Sequence, residues 1–208
     1  MVQVRHAAFP YLLSLPEPAI DKPPLLVFLH GAGERGTDPM KLCCHSVPRI
    51  FQEPNTYPCV MVAPQCPDGE TWILHLPALR DFILACVEEY GCDPDRVSLT
   101  GISMGGYGAW ELALQYPELF SAIAPVCGGG TAWRASQLKD LPIWAFHGDI
   151  DDVVLPARSL EMVDAVNRIG GHAELTLFHN VGHDSWERAY RKTTCISWLI
   201  SQKREAHA

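Results

Sequence analysis

The sequence predicts an α/β fold in which a mostly parallel, doubly wound sheet carries helices on both faces. Short apolar runs alternate with helix-length amphipathic segments along almost the whole chain, and this repeated alternation is typical of such a sheet. The apolar runs are mostly continuous, as expected for parallel strands buried on both faces. The 208 residues, 48% of them hydrophobic, are enough for one sizeable core, so we expect a single domain over residues 1–208.

The predicted strands are the short apolar runs, which turn-forming residues interrupt. Six are expected at Leu25–His30, Cys59–Pro64, Arg96–Gly101, Ser121–Gly128, Pro142–Gly148 and Ala173–His179. Two weaker strands are expected near Val2–His6 and Tyr11–Leu15. In a sheet of this type, the chemistry lies beyond the carboxyl ends of the strands.

The predicted helices lie after these strands and are bounded by residues that start or stop helices. They are expected at Leu76–Gly91, Met104–Pro117, Pro156–Gly171 and Ser185–Arg204. The first presents one apolar face, formed by Leu79, Phe82, Ile83, Cys86 and Val87. Gly91 and Pro117 suit helix ends, and Pro156 suits a helix start.

The composition argues against several classes of protein. The formal net charge is −8 and the basic residues are scattered, so we expect no nucleic-acid partner. The N-terminus does not resemble a secretory signal, and no apolar run approaches the roughly 20 residues that span a bilayer. We therefore expect a cytoplasmic protein with no membrane partner. The eight cysteines have no CxxC or zinc-finger spacing, which predicts buried, reduced thiols and no metal site.

The segment from Leu99 to Trp110 surrounds Ser103 with four glycines. Residues 101–105 read G-x-S-x-G, directly between a predicted strand and a predicted helix. On this tight turn the serine adopts strained dihedral angles, and side chains two positions to either side would collide with neighbouring elements. The pattern predicts that Ser103 is a catalytic nucleophile. The alternative is a glycine-rich turn with an incidental serine.

A serine nucleophile needs a base, and His183 is the best-placed histidine. It lies on the loop after the last predicted strand, outside any apolar periodic run. His45 and His75 lie where they could border a cleft and are candidates for substrate binding. His30 and His147 end strands in His-Gly pairs and are expected to shape loops.

The base needs a carboxylate that holds its ring in one tautomer. The segment HGDIDDVVLP supplies Asp149, Asp151 and Asp152, all after a predicted strand. Each could instead be a turn-forming aspartate, so the residues alone leave the choice among the three open.

An oxyanion hole requires backbone N–H groups from the residue after the nucleophile, Met104, and from an earlier strand-to-helix loop. The glycine-containing segment LHGAGERGTD, residues 29–38, suits that loop. A phosphate-binding loop is the alternative, but neither phosphate-binding glycine signature is present.

These motifs resemble the α/β-hydrolases of the phospholipase/carboxylesterase type, the group that contains the acyl-protein thioesterases. In particular, the chain is similar to small lidless esterases known as predicted peptidases or polyhydroxybutyrate-depolymerase-like esterases. The resemblance extends from Leu25 onward and rests on LHGAGERGTD, VAPQCP, DPDRVSLTGISMGGYGAW, PVCGGG, WAFHGDIDDVVLP and GHDSWERAY. The order serine, aspartate, histidine is also that of the α/β-hydrolases.

The resemblance implies an α/β-hydrolase fold without a cap domain and adds three residue roles. The triad aspartate of that group is the fourth residue after the histidine of the His-Gly pair, which implies Asp151. The family usually has proline at the next position, where this chain has Asp152. The resemblance further implies that Ala32 supplies the second oxyanion N–H and that Trp72 forms an aromatic wall of the acyl pocket.

Together these observations predict a serine carboxylesterase that acts on a small-molecule, short-chain ester without a metal or organic cofactor. An acyl-protein thioesterase or a peptidase using the same triad is the first alternative. A non-catalytic binding protein on a hydrolase fold is the second. The oligomeric state and the acyl and alcohol groups of the substrate leave no recognisable mark in the sequence.

Overall fold

The computed structural model describes residues 2–53 and 57–204, and eight strands among them form one sheet. The strands are β1 (Gln3–His6), β2 (Pro10–Ser14), β3 (Leu25–Leu29), β4 (Val60–Pro64), β5 (Val97–Ile102), β6 (Ala122–Val126), β7 (Ile143–Gly148) and β8 (Ala173–Phe178). Their spatial order is β1-β2-β4-β3-β5-β6-β7-β8. The six predicted central strands and the two weaker ones are therefore confirmed.

Strands β3 to β8 run parallel, whereas β1 and β2 form an antiparallel edge joined to β4. The central strands β3 and β5 are buried throughout. The chain passes from β3 to β4 on one side and then returns to β5 on the other side of β3. The strand order reverses at this point, and ligands of open α/β sheets bind where it reverses.

Six α-helices accompany the sheet within the described residues. They are α1 (Ser46–Ile50), α2 (Leu76–Glu89), α3 (Met104–Gln115), α4 (Ala157–Arg168), α5 (Trp186–Lys192) and α6 (Cys195–Ser201). Buried residues of α2, α3 and α4 belong to one apolar cluster, and those of α1, α5 and α6 belong to a second. Alternate residues of the central strands contribute to each cluster, since successive side chains of a strand point to opposite faces. The predicted arrangement of helices on both faces is confirmed.

The final segment differs from the single helix predicted over Ser185–Arg204. It forms two helices, α5 and α6, because Thr193 between them has an extended backbone. The Thr193 hydroxyl donates to the Ala189 carbonyl and accepts from the Cys195 N–H at 3.1 Å. A side chain that bonds to the backbone in this way competes with helical hydrogen bonds. The break turns α6 onto the sheet beneath β5 and β6.

The eight cysteines are unpaired in the structure, and six of them are buried. Burial raises the pKa of the Cys59 and Cys86 thiols to about 12, so these groups pack as small apolar side chains.

None of the described helices is long and apolar enough to cross a membrane.

Candidate active site

Ser103 lies between β5 and α3 in a backbone conformation that is rare for a residue with a side chain. Its φ is 52° and its ψ is −114°. Such a conformation costs about 1–3 kcal/mol and persists only where the surroundings enforce it. Two backbone hydrogen bonds hold the turn, from the Ser103 N–H to the Val126 carbonyl and from the Tyr107 N–H to the Ser103 carbonyl, both 3.0 Å long.

The glycines around Ser103 allow β3, β5 and α3 to approach closely. A Cβ atom at Gly101 would lie 2.3 Å from the Gly105 carbonyl oxygen, and one at Gly105 would lie 2.0 Å from the Leu29 carbonyl oxygen. Both contacts are with backbone atoms, which cannot move aside without displacing the strand. The predicted reason for these two glycines is therefore confirmed.

The imidazole of His183 lies directly against the serine hydroxyl. His183 is on the loop between β8 and α5, and its Nε2 is 2.9 Å from Ser103 Oγ. The edge of its ring meets Trp186, with ring centroids 5.4 Å apart. About a fifth of the side chain is exposed, so the imidazole is positioned by protein contacts and still faces solvent.

Asp151 holds the other nitrogen of this imidazole. Its Oδ2 lies 2.8 Å from His183 Nδ1, and its Oδ1 accepts hydrogen bonds from the N–H groups of Val153 and Val154 at 3.0 and 2.9 Å. Burial by itself raises the pKa of the Asp151 carboxyl, but the hydrogen bonds from His183, Val154 and Val153 outweigh it, and the net pKa is lowered. An ionised Asp151 requires His183 to carry its proton on Nδ1, which leaves Nε2 free to accept the serine proton.

The other two aspartates of the same loop are placed differently. Asp149 Oδ2 lies 2.8 Å from Nδ1 of the exposed His179, and Asp152 is exposed. Of the three carboxylates that the residues alone left open, the structure therefore places only Asp151 beside His183.

His147 contacts the same aspartate, which the sequence did not predict. The imidazole is fully buried, with Nε2 at 3.2 Å from Asp151 Oδ2 and 2.8 Å from the Val154 carbonyl oxygen. Both neighbours are acceptors, so Nε2 carries a proton. Burial lowers the pKa of His147. The sequence signal was the separation of four residues between His147 and Asp151.

Ala32 and Met104 each begin a helical segment that follows a strand, and the two strands are neighbours in the sheet. Ala32 begins a 3₁₀ turn that ends at Glu34, after β3, and Met104 begins α3, after β5. In the parallel pair of β3 and β5, Leu29 lies opposite Gly101, so both turns leave the same edge of the sheet. The first N–H groups of a helix have no acceptor within it, so both groups are suited to an oxyanion.

The two histidines considered as binding residues lie in different surroundings. His45 Nε2 is 3.1 Å from Glu34 Oε1, and its ring packs against Trp186, with 5.5 Å between the ring centroids. His75 pairs with the Glu70 carboxylate and packs edge-on against Phe9. Only His45 is thereby linked to His183, through one shared aromatic ring.

Trp72 does not form a wall of an open pocket, contrary to the expectation from the resemblance. Its side chain is fully buried, and Nε1 donates to the His30 carbonyl at 3.0 Å. The ring packs against Phe9 and beneath Gly108, where a Cβ atom would lie 2.8 Å from Trp72 Cβ. Trp72 is held in the core because its indole N–H finds a partner there, and it supports the site from below.

In the part of the chain that the structure describes, two groups of residues bring potential metal ligands within 4.8 Å of one another: Glu34, Cys44 and His45, and Cys127, Asp151 and His183. In the first group, His45 bonds to the Glu34 carboxylate. In the second, Asp151 bonds to His183, and His183 bonds in turn to Ser103. In both groups, a hydrogen bond between the histidine and the carboxylate explains their close approach.

This chain is similar to known esterases in sequence and in fold. The Esterase family model matches residues 75–207. The chain is 30% identical over 145 residues to the bifunctional acetylxylan esterase/xylanase XynS20E of Neocallimastix patriciarum, and 27% identical over 141 residues to feruloyl esterase B of Neurospora crassa. These matches cover 63% and 62% of this chain, but only 20% and 47% of the relatives.

A solved structure described as a thermostable esterase is similar over almost the whole chain. The TM-score is 0.88 and the sequence identity is 34%. The alignment covers 98% of this chain and 63% of the other. The likeness therefore includes the sheet, the helices and the elements that carry Ser103, Asp151 and His183.

Proposed function

The chain belongs to the Esterase family, and we propose that it is a serine carboxylesterase that hydrolyses short-chain carboxylic esters through an acyl-enzyme on Ser103. The observation that carries the proposal is the continuous series of hydrogen bonds from Ser103 through His183 to Asp151, 2.9 and 2.8 Å long. A buried carboxylate, an imidazole in a defined tautomer and a serine in a strained turn are the parts that acyl transfer needs.

In the first half of the reaction, Ser103 Oγ attacks the ester carbonyl while its proton moves to His183 Nε2. Asp151 stabilises the imidazolium that forms. The carbonyl oxygen becomes an oxyanion, which accepts hydrogen bonds from the N–H groups of Ala32 and Met104. When the tetrahedral intermediate collapses, the bond to the leaving alcohol breaks. The alcohol takes the proton from His183, and the acyl group stays on Ser103.

The second half repeats these steps with water as the nucleophile. Water loses a proton to His183 Nε2 and attacks the acyl carbonyl. The tetrahedral intermediate then breaks its bond to Ser103 Oγ, which recovers the proton from His183. The carboxylic acid leaves and the enzyme returns to its starting state. Both halves use the same three side chains, and the mechanism requires no metal or organic cofactor.

The names of the relatives support an ester as the substrate, since acetylxylan esterases and feruloyl esterases cleave carboxylic esters. Thioesters and peptides present the same carbonyl chemistry to the same triad. Parallel assays on matched ester, thioester and peptide substrates separate these possibilities. We expect the ester to be hydrolysed with the highest kcat/KM.

A fluorophosphonate probe tests the mechanism, because it labels a serine only when that serine is activated in the folded protein. We expect one adduct, on the tryptic peptide that contains Ser103, and loss of labelling after heat denaturation. An adduct on a different serine would contradict the proposed nucleophile. Absence of an adduct in the folded protein would favour a non-catalytic binding protein.

Met104 acts in this mechanism through its backbone, so Met104→Ala is expected to retain most of the parent kcat. The backbone N–H survives the substitution, whereas removing an oxyanion donor costs about 10²–10³ in kcat in other enzymes. Steady-state kinetics on para-nitrophenyl acetate measure the effect. A loss of that size would show that the thioether itself is needed, and the oxyanion hole would have to be reassigned.

Short acyl chains are expected to be better substrates than long ones. The connection between β6 and β7 contains a 3₁₀ segment, Ala132–Leu138, whose Ala135 and Leu138 are buried in the core. Among the described residues, no connection forms a separate cap. Each buried CH₂ contributes roughly 0.8 kcal/mol, but only where a wall covers it.

A series of para-nitrophenyl esters from acetate to laurate tests this expectation. We expect kcat/KM to stop rising within a few carbons of acetate. A continuous rise to laurate would mean that another part of the molecule covers the chain, because Trp72 is buried and does not line an open pocket.

A further inference from the structure

Arg35 carries a positive charge beside Met104, the residue after the proposed nucleophile, and has no carboxylate partner among the described residues. It follows the 3₁₀ turn that begins at Ala32, and its side chain is partly buried. The guanidinium Nη2 donates to the sulfur of Met104 at 3.1 Å, and Nε is buried without a hydrogen-bond partner. Within residues 2–53 and 57–204, Arg35 forms no ion pair.

The preceding glutamate does not neutralise this charge. Glu34 Oε1 lies 3.1 Å from His45 Nε2, and Glu34 Oε2 lies 3.8 Å from His30 Nδ1. Oε1 is thus engaged by His45, whereas Oε2 is buried without a hydrogen-bond partner among the described residues. Arg35 is left with a thioether, which is a weak acceptor. Partly buried charges are normally paired, because an unpaired one loses hydration without compensation.

The position of Arg35 adds to the positive character of the site. Its guanidinium contacts the first residue of α3, a helix of 12 residues. The N-terminus of a helix has a partial positive charge, which disfavours a cation and favours an anion. The chain as a whole is acidic, with a formal net charge of −8. Without a cation at the start of α3, that charge would oppose the approach of a negatively charged substrate.

We propose that Arg35 is a specificity-determining residue that binds a carboxylate on the acyl or alcohol part of the ester, so that the preferred substrates are anionic esters. The inference rests on the proposed function, since it concerns the substrate of the same site. The planar guanidinium matches a carboxylate and binds it with two parallel hydrogen bonds. The oxyanion itself is left to the backbone N–H groups of Ala32 and Met104.

Two pairs of substrates isolate the charge from size and shape. On the acyl side, the mono-para-nitrophenyl ester of glutaric acid is compared with the para-nitrophenyl ester of glutaramic acid. On the alcohol side, para-acetoxybenzoate is compared with para-acetoxybenzamide. In each pair a carboxylate is replaced by an amide of the same shape. The measured quantity is the ratio of kcat/KM for the carboxylate to kcat/KM for the amide.

We expect the parent enzyme to have a ratio above one in at least one pair, and Arg35→Gln to lower that ratio about 10-fold to 100-fold. This range is the usual contribution of a hydrogen bond to a charged group. Arg35→Lys keeps the charge but loses the planar fork, so we expect an intermediate ratio. Arg80→Gln is the matched control, because Arg80 pairs with Asp81 on the surface of α2 and its removal changes the net charge equally. It is expected to keep the parent ratio.

The inference is overturned if the parent ratio is at or below one in both pairs. It is also overturned if Arg35→Gln lowers kcat/KM for the carboxylate and the amide equally, since Arg35 would then support the fold or the oxyanion. The proposed function is tested separately, by Ser103→Ala on the neutral amide substrates. If their hydrolysis depends on Ser103 and the ratio does not depend on Arg35, only the inference about Arg35 fails.

Discussion

Replacing Ser103 with alanine is expected to lower kcat for ester hydrolysis by about 10⁴–10⁶-fold. The loss is large because the acyl-enzyme cannot form without the hydroxyl. The fold is expected to survive, because the strained turn is held by backbone hydrogen bonds to Val126 and Tyr107, which alanine retains. Steady-state kinetics on para-nitrophenyl acetate and a thermal unfolding midpoint Tm measure the two effects separately.

Ser201→Ala provides a matched control for this substitution. Ser201 is exposed at the end of α6, and its hydroxyl bonds only to neighbouring groups of the same chain segment. We expect it to keep the parent kcat. If Ser103→Ala, with an unchanged Tm, retained more than about 1% of the parent kcat, Ser103 would not be the nucleophile, given the losses seen for triad serines elsewhere.

The second large effect is expected for Asp151→Asn, which should lower kcat by about 10⁴-fold. The hydrogen bonds around residue 151 determine the orientation of the asparagine amide. The oxygen at the Oδ1 position must accept from the Val153 and Val154 N–H groups, so the NH₂ group takes the place of Oδ2 and faces His183 Nδ1. A donor at that position forces His183 to accept there and to hold its proton on Nε2. His183 then cannot take the proton of Ser103.

The two neighbouring aspartates serve as controls for this prediction. Asp152 is exposed, and Asp149 pairs with the exposed His179. Asp149→Asn and Asp152→Asn are therefore expected to lose only a modest factor in kcat, since asparagine forms the same local turns as aspartate. An active Asp151→Asn beside an inactive Asp152→Asn would show that Asp152 orients the base in solution.

Local patterns in the sequence were sufficient to predict the strands, most helices and the turn at Ser103. Continuous apolar runs specify strands buried on both faces. The glycines at positions 101 and 105 are explained by contacts within three adjacent elements, β3, β5 and α3. The division of the last segment into α5 and α6 could not be predicted from the sequence. It depends on the hydrogen bonds of the Thr193 side chain, and these require a rotamer that the apolar pattern does not reveal.

The sequence by itself thus determined the sheet, the order of its elements and the three residue types that the chemistry needs, because these follow from periodicity and short-range sterics. Only the tertiary structure decided which residues meet. It placed Asp151 rather than Asp149 against His183, brought His147 onto the same carboxylate and buried Trp72 beneath the site. It also placed Arg35 against the Met104 thioether, with no ion pair to any other described residue. These outcomes depend on the directions of side chains from strands far apart in the sequence, and packing of the complete chain is the physical step that sets those directions.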